Sequence, residues 1–145
     1  MATATSLKLE EGFRMHPKLV ADTVGIGPLP LSAARLMKDA RYPWLVLVPR
    51  RPKMREFIEL QDNEQSLLLE EIRRCCELFK ALHKPARINI AMIGNIVPQL
   101  HVHIVARFTN DASWPLPVWG IGEAQPYPPE ILKARATRYK QFFGI

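Results

Sequence analysis

At 145 residues the chain has the length of one domain. Its 48% hydrophobic and 23% charged residues are the balance of a folded protein, which disfavours disorder, and no apolar run nears the roughly 18 residues of a membrane span. Lysine and arginine exceed aspartate and glutamate by 20 − 14 = 6, a surplus that favours anionic partners without choosing among nucleotides, nucleic acids and lipid head groups.

Thirteen prolines predict short, sharply bounded elements. Residues 1–12 read as a loose lead-in, with neither the basic-then-apolar pattern of a secretory signal nor a lipid-anchor motif. Residues 16–22 form a short helix with Pro17 in its first turn, closed before the breaker cluster Gly25-Ile26-Gly27-Pro28. An edge strand over 31–38 and a second strand over 44–48 flank the turn Asp39-Ala40-Arg41-Tyr42-Pro43, which makes them an antiparallel hairpin. The long helix spans 63–82, because Leu68, Ile72, Cys75, Phe79 and Leu82 advance by 4, 3, 4 and 3 along one stripe, with Asp62 as N-cap.

Cys75 on that stripe reads as a small buried hydrophobe, and its neighbour Cys76 is poorly placed to bridge to it. Reduced thiols without an export signal point to the cytoplasm. Residues 87–93 read as a strand and Gly94-Asn95 as a turn. Residues 99–108 form a strand whose Leu100, Val102, Ile104, Ala106 and Phe108 share one face, opposite Gln99, His101, His103, Val105 and Arg107. A loop rich in proline and tryptophan leads to a helix over 129–143. The sum is an α+β fold, with a mainly antiparallel β-sheet, one long helix between strands and a C-terminal helix, in a single domain over 1–145.

His101 and His103 project from one strand face with Cα atoms about 6.5–7 Å apart. Such a pair can bind a metal, can set one imidazole as nucleophile or acid beside another that tunes it, or can be merely solvated. A metal needs a third and usually a fourth ligand. The other histidines, His16 and His83, lie elsewhere and no carboxylate cluster flanks the strand, so neither a metal nor another cofactor is expected. The turn at Gly94-Asn95 offers backbone N–H groups and an amide close to the histidines, and Gln99 adds a second amide on their face, donors of the kind that stabilise phosphate oxygens.

The segment from Gly94 through Asn95, Pro98, Gln99, Leu100, His101, Val102, His103 and Ile104 to Val105 resembles the signature of the histidine-triad superfamily, alternating histidines and apolar residues after a Gly-Gln/Asn turn. It departs at the first histidine, which is Gln99 here, as in a bacterial histidine-triad-like branch. The resemblance implies that His101 is the nucleophile that attacks the α-phosphate of a nucleotide conjugate. It implies further that His103 contacts the phosphate or bridging atom, that Asn95 contacts the phosphates or leaving group, and that Asn89 falls near another polar position of the family. Replacement of the first histidine alters the support of the nucleophile, and restoring it (Gln99→His) is expected to preserve or raise the rate.

The likeness extends to residues 44–51, a strand ending in proline and basic residues, to the helix at 63–82, and to Trp114-Pro115. It implies a homodimer paired through the long helix and a sheet edge. Elsewhere, Arg50, Arg51, Lys53 and Arg55 read as a solvated basic loop or a nucleotide-attracting one, and Lys133, Arg135, Arg138 and Lys140 as the polar side of the last helix. Trp114 and Trp119 suit base stacking or packing, and Asp39 a turn or a ribose contact. Three functions compete: a nucleotide hydrolase or nucleotidyl transferase working on a phosphoanhydride or phosphoramidate through a nucleotidyl-histidine, a non-catalytic nucleotide-binding or regulatory protein, and a metal-binding sheet protein. The first is expected, with a nucleotide or nucleotide conjugate as partner and no stable nucleic-acid complex.

Overall fold

Two facing cores divide the side chains of a single sheet. The computed structural model describes residues 11–145, so that all but the end of the expected lead-in lies outside the described residues. Strands β1 (Thr23–Pro28), β2 (Ser32–Met37), β3 (Trp44–Pro49), β4 (Arg87–Ala91) and β5 (Val102–Arg107) form one sheet in the order β1-β2-β3-β5-β4, each neighbour antiparallel. Helix α1 (Pro17–Asp22) precedes β1, α2 (Asp62–Leu82) joins β3 to β4, and α3 (Pro129–Phe143) closes the chain. The α+β architecture expected from the sequence is the one observed.

Period-two alternation explains why β3 and β5 are buried at every position. Leu45, Leu47, Val102, Ile104 and Ala106 point to one side, where Leu68, Ile72, Cys75, Leu78 and Phe79 of α2 and Tyr139 and Phe143 of α3 cover them. Trp44, Val46, Val48 and Val105 point to the other, against Leu19 of α1, Tyr42, Val97 and Val118. The face that carries His101 and His103 is therefore covered by loops and a short helix, not by the long one.

Four local expectations are corrected. The cluster Gly25-Ile26-Gly27-Pro28 does not break the chain but lies in β1, whose pairing with β2 shifts register between Gly25 and Gly27. Gly27 has φ +151°, and a Cβ there would sit 2.8 Å from the Ile145 side chain, so glycine belongs to this bulge. Strand β2 is consequently an inner strand, and the sheet edges are β1 and β4. The α2 N-cap is Gln61, in a reciprocal capping box with Glu64, and Asp62 is the first helical residue. Strand β5 begins at Val102, later than the expected start at 99.

Buried charges fasten the loops. Glu71 of α2 accepts from the Leu31 and Ser32 backbone N–H groups at 2.6 and 3.2 Å, and Arg50 donates to the carbonyls of Leu29 and Leu31 at 2.6 and 3.1 Å, which pins the β1–β2 connection. Arg51 pairs with Glu64. Half of the expected basic loop is thus structural. Arg107, 1% exposed at the end of β5, reaches Asp111 at 2.8 Å, Asn89 at 2.8 Å, Ser113 at 3.2 Å and the Leu116 carbonyl at 2.8 Å, and lies over the Tyr42 and Trp114 rings.

Removing one member of a buried pair leaves the other charge desolvated and alone. Arg107→Met is expected to lower unfolding stability by about 3–5 kcal/mol in urea titration. A loss below about 1 kcal/mol would mean that Asp111 finds water instead.

Candidate functional site

The backbone before β5 orients the first imidazole. Nδ1 of His101 lies 2.6 Å from the Gln99 carbonyl oxygen. A carbonyl only accepts, so Nδ1 carries the proton, and in the neutral ring Nε2 holds a free lone pair. His103, one pleat further along, faces the opposite constraint. Its Nδ1 lies 3.0 Å from Trp44 Nε1, an indole N–H that only donates. Nδ1 must therefore accept, and the neutral ring carries its proton on Nε2. Two imidazoles 4.8 Å apart, each 6% exposed, are thus held in opposite tautomers.

The Trp44 and Trp119 rings flank His103 edge-on at 5.6 and 5.5 Å. Burial among them, and then the neighbouring His101, lower its pKa to about 3. His103 is a neutral hydrogen-bond group throughout the physiological range.

Both rings open onto a cavity of about 690 Å3, walled by Leu19 of α1, Asn95 and Ile96 of the turn, Trp44 of β3 and Trp119 of the loop after β5. Of the site residues expected from sequence, His101, His103 and Asn95 meet here. Gln99 does not line this cavity. It borders a small recess on the other side of His101, with Arg55 and Glu56. Asn89 lies outside both; it pairs with Val105 in the ladder and its Oδ1 accepts from Arg107. Asp39 borders the cavity, but its carboxylate accepts from Arg41 at 2.8 Å and from the Gln125 N–H at 3.3 Å, and it is held below the ordinary carboxylate range by those bonds against the opposing effect of burial. It is a turn aspartate that secures the loop carrying Trp119. Trp114 packs on Arg107.

Sequence reasoning missed Trp44 as a partner of His103 and α1 as a wall. Trp44 carried a local signal, since it heads the strand that the motif strand must pair with; α1 carried none. No group of three or more histidine, cysteine, aspartate or glutamate side chains suited to a metal gathers among the described residues, and among them no helix is long and apolar enough to cross a membrane.

The HIT-domain family model matches residues 18–110. Among solved structures, a histidine triad protein from Bradyrhizobium japonicum is 44% identical with a TM-score of 0.87, covering 90% of this chain and 97% of its own. A histidine triad protein from Sinorhizobium meliloti is 41% identical, TM-score 0.88, over 91% and 98% of the two chains. One from Marinobacter aquaeolei is 37% identical, TM-score 0.87, over 90% and 95%. No curated protein matches the chain. The matched domain is that of a nucleotide-binding, hydrolase-type family. The chain belongs to the histidine-triad, or HIT-domain, family. That family includes hydrolases and transferases as well as non-catalytic members, and binds nucleotides and their conjugates.

Folding holds the His103 ring neutral, whereas an unfolded histidine takes up a proton below about 6.5. The group's contribution to stability is present above that pH and is lost as pH falls toward 3. Trp44→Phe keeps the ring but removes the donor to Nδ1. The His103 pKa, read by NMR titration, is expected to rise by about one unit, the equivalent of one hydrogen bond to the neutral form. An unchanged titration would contradict the Trp44 bond.

Proposed function

We propose that the protein is a nucleotide hydrolase or nucleotidyl transferase that cleaves a phosphoanhydride or phosphoramidate conjugate through a covalent nucleotidyl-histidine on His101. The observation that carries this reading is the opposite tautomers of the two imidazoles. The His101 Nε2 lone pair forms a bond to the α-phosphorus as the bond from phosphorus to the leaving group breaks in line. His103 Nε2–H donates a hydrogen bond to a phosphate oxygen or to the bridging atom and keeps its proton, while the leaving group takes a proton from solvent water, which the attacking water or hydroxyl gives back in the second step. Asn95 and the backbone at Gly94 stabilise the phosphate oxygens. Water, or an acceptor hydroxyl, then attacks phosphorus, the phosphorus–nitrogen bond breaks, and the electron pair returns to Nε2. Neither step calls for a metal or other cofactor.

The same reading includes a cytoplasmic homodimer. Support comes from free thiols at Cys75 and Cys76, and from the sheet edge β4, where Ile90 is 48% exposed and Met92 just after it 40%, with Leu69 of α2 at 57%.

Incubation with adenosine 5′-phosphoramidate and native mass spectrometry test both parts. A species of twice the 16.6 kDa chain, carrying one nucleoside monophosphate per loaded chain on the His101 peptide, is the expected result. His101→Ala is expected to carry none and to lose at least about a thousandfold in kcat/KM. His103→Ala should slow turnover yet permit some loading. Label on His101→Ala, or full activity in it, contradicts the mechanism and leaves the non-catalytic nucleotide-binding reading; a mass of one chain at micromolar concentration contradicts the dimer.

A further inference from the structure

Gln99 occupies the motif's first position, yet its side chain lies outside the lining of the large cavity and both of its polar atoms are engaged elsewhere. Nε2 donates to the Arg14 carbonyl at 2.8 Å, and Oε1 accepts from the His16 N–H at 2.8 Å. One carboxamide thus answers an acceptor and a donor of the same extended segment, as a neighbouring strand's peptide group would. These partners are 85 and 83 residues away in the chain.

Immediately after that segment the chain forms a wall of the cavity. His16 Nδ1 caps α1 by accepting from the Lys18 N–H at 3.1 Å, and Pro17 opens its first turn. Lys18, Leu19, Ala21 and Asp22 of α1 border the cavity. A helix of six residues does not persist alone in water. Its place depends on the groups that hold its ends and on Leu19, which packs beside Trp44 and Val46 together with the flanking Phe13 and Met15.

We infer that Gln99 is a positioning residue: it clasps residues 14–16 to the start of the motif strand and so sets the α1 wall of the nucleotide pocket, instead of assisting the chemistry of His101. The inference rests on the proposed function for the pocket's occupant. The support that His101 needs comes from the Gln99 carbonyl, which every residue type supplies. Restoring a histidine at 99 is therefore expected to weaken the pocket, because the two imidazole nitrogens diverge across the ring and satisfy one of the two partners. This reverses the gain that the family resemblance implies for Gln99→His.

The test combines amide hydrogen exchange of the free protein with steady-state kinetics on adenosine 5′-phosphoramidate. Gln99→Met, of similar length and without donor or acceptor, should lower the protection of the His16 amide about tenfold. It should also raise KM about tenfold, the worth of two hydrogen bonds, with kcat changed less than about twofold and its pH profile unmoved. Gln99→Glu, which keeps the acceptor, should retain the His16 protection and show a smaller rise in KM. Gln99→His should raise KM without raising kcat.

Unchanged His16 protection in Gln99→Met overturns the clasp. A fall in kcat at constant KM in that variant, a shifted pH profile, or a higher kcat in Gln99→His overturns the wall and assigns the side chain to the chemistry. A wild-type protein that neither binds nor turns over the nucleotide overturns the proposed function, and the exchange result then decides the clasp by itself.

Discussion

Everything in the site depends on β5 lying between β3 and β4 with both faces covered. A strand bonded on both edges cannot slip by one residue without turning every side chain to the wrong face. The ladder that seats Ile104 opposite Leu45 on the α2 side therefore also fixes His103 opposite Val46 on the other side. The face that carries the histidines inherits its precision from a hydrophobic core on the reverse of the sheet. Trp44, facing Val105 two pairs along from His103, is delivered by the same register to the Nδ1 of His103. Just outside the strand, the Gln99 carbonyl is left to accept a hydrogen bond from His101 Nδ1–H.

The electrostatics show a similar economy. Several of the basic groups behind the formal charge of +6 are committed to ion pairs. Arg41 is paired with Asp39, Arg51 with Glu64 and Arg107 with Asp111, each fastening a loop. Besides Lys18, which pairs with Asp22, and Lys38, the groups that can meet a ligand in the cavity are neutral: two imidazoles, the Asn95 amide, indole rings and aliphatic side chains. A phosphate there would be stabilised by hydrogen bonds in a partly desolvated setting, where they are stronger than in water.

Much of this is legible in the sequence, and the reasons are local. The 4-3 stripe from Leu68 to Leu82 identifies α2, because helix burial repeats within a few residues. The alternation from Leu100 to Arg107 identifies β5, both of its faces and the two histidines together. The features that escape depend on distant partners. Strand β1 is hidden by glycines and a proline, whose turn chemistry prevails unless a neighbouring strand and the Ile145 side chain make a bulge the better solution. The place of Asn89 before the motif suggests a site residue, whereas Arg107 at the far end of β5 engages its side chain. The Gln99 amide shows its role only once residues 14 and 16 are folded against it.

The central claim is that neighbouring imidazoles are held in opposite tautomers, one offering a lone pair and the other a proton. Long-range proton–nitrogen correlation NMR of the free protein near pH 7 reads this directly, nitrogen by nitrogen. The expected result is a protonated Nδ1 and a bare Nε2 on His101, with a bare Nδ1 and a protonated Nε2 on His103. The same tautomer on both rings, or a doubly protonated His103, would contradict it.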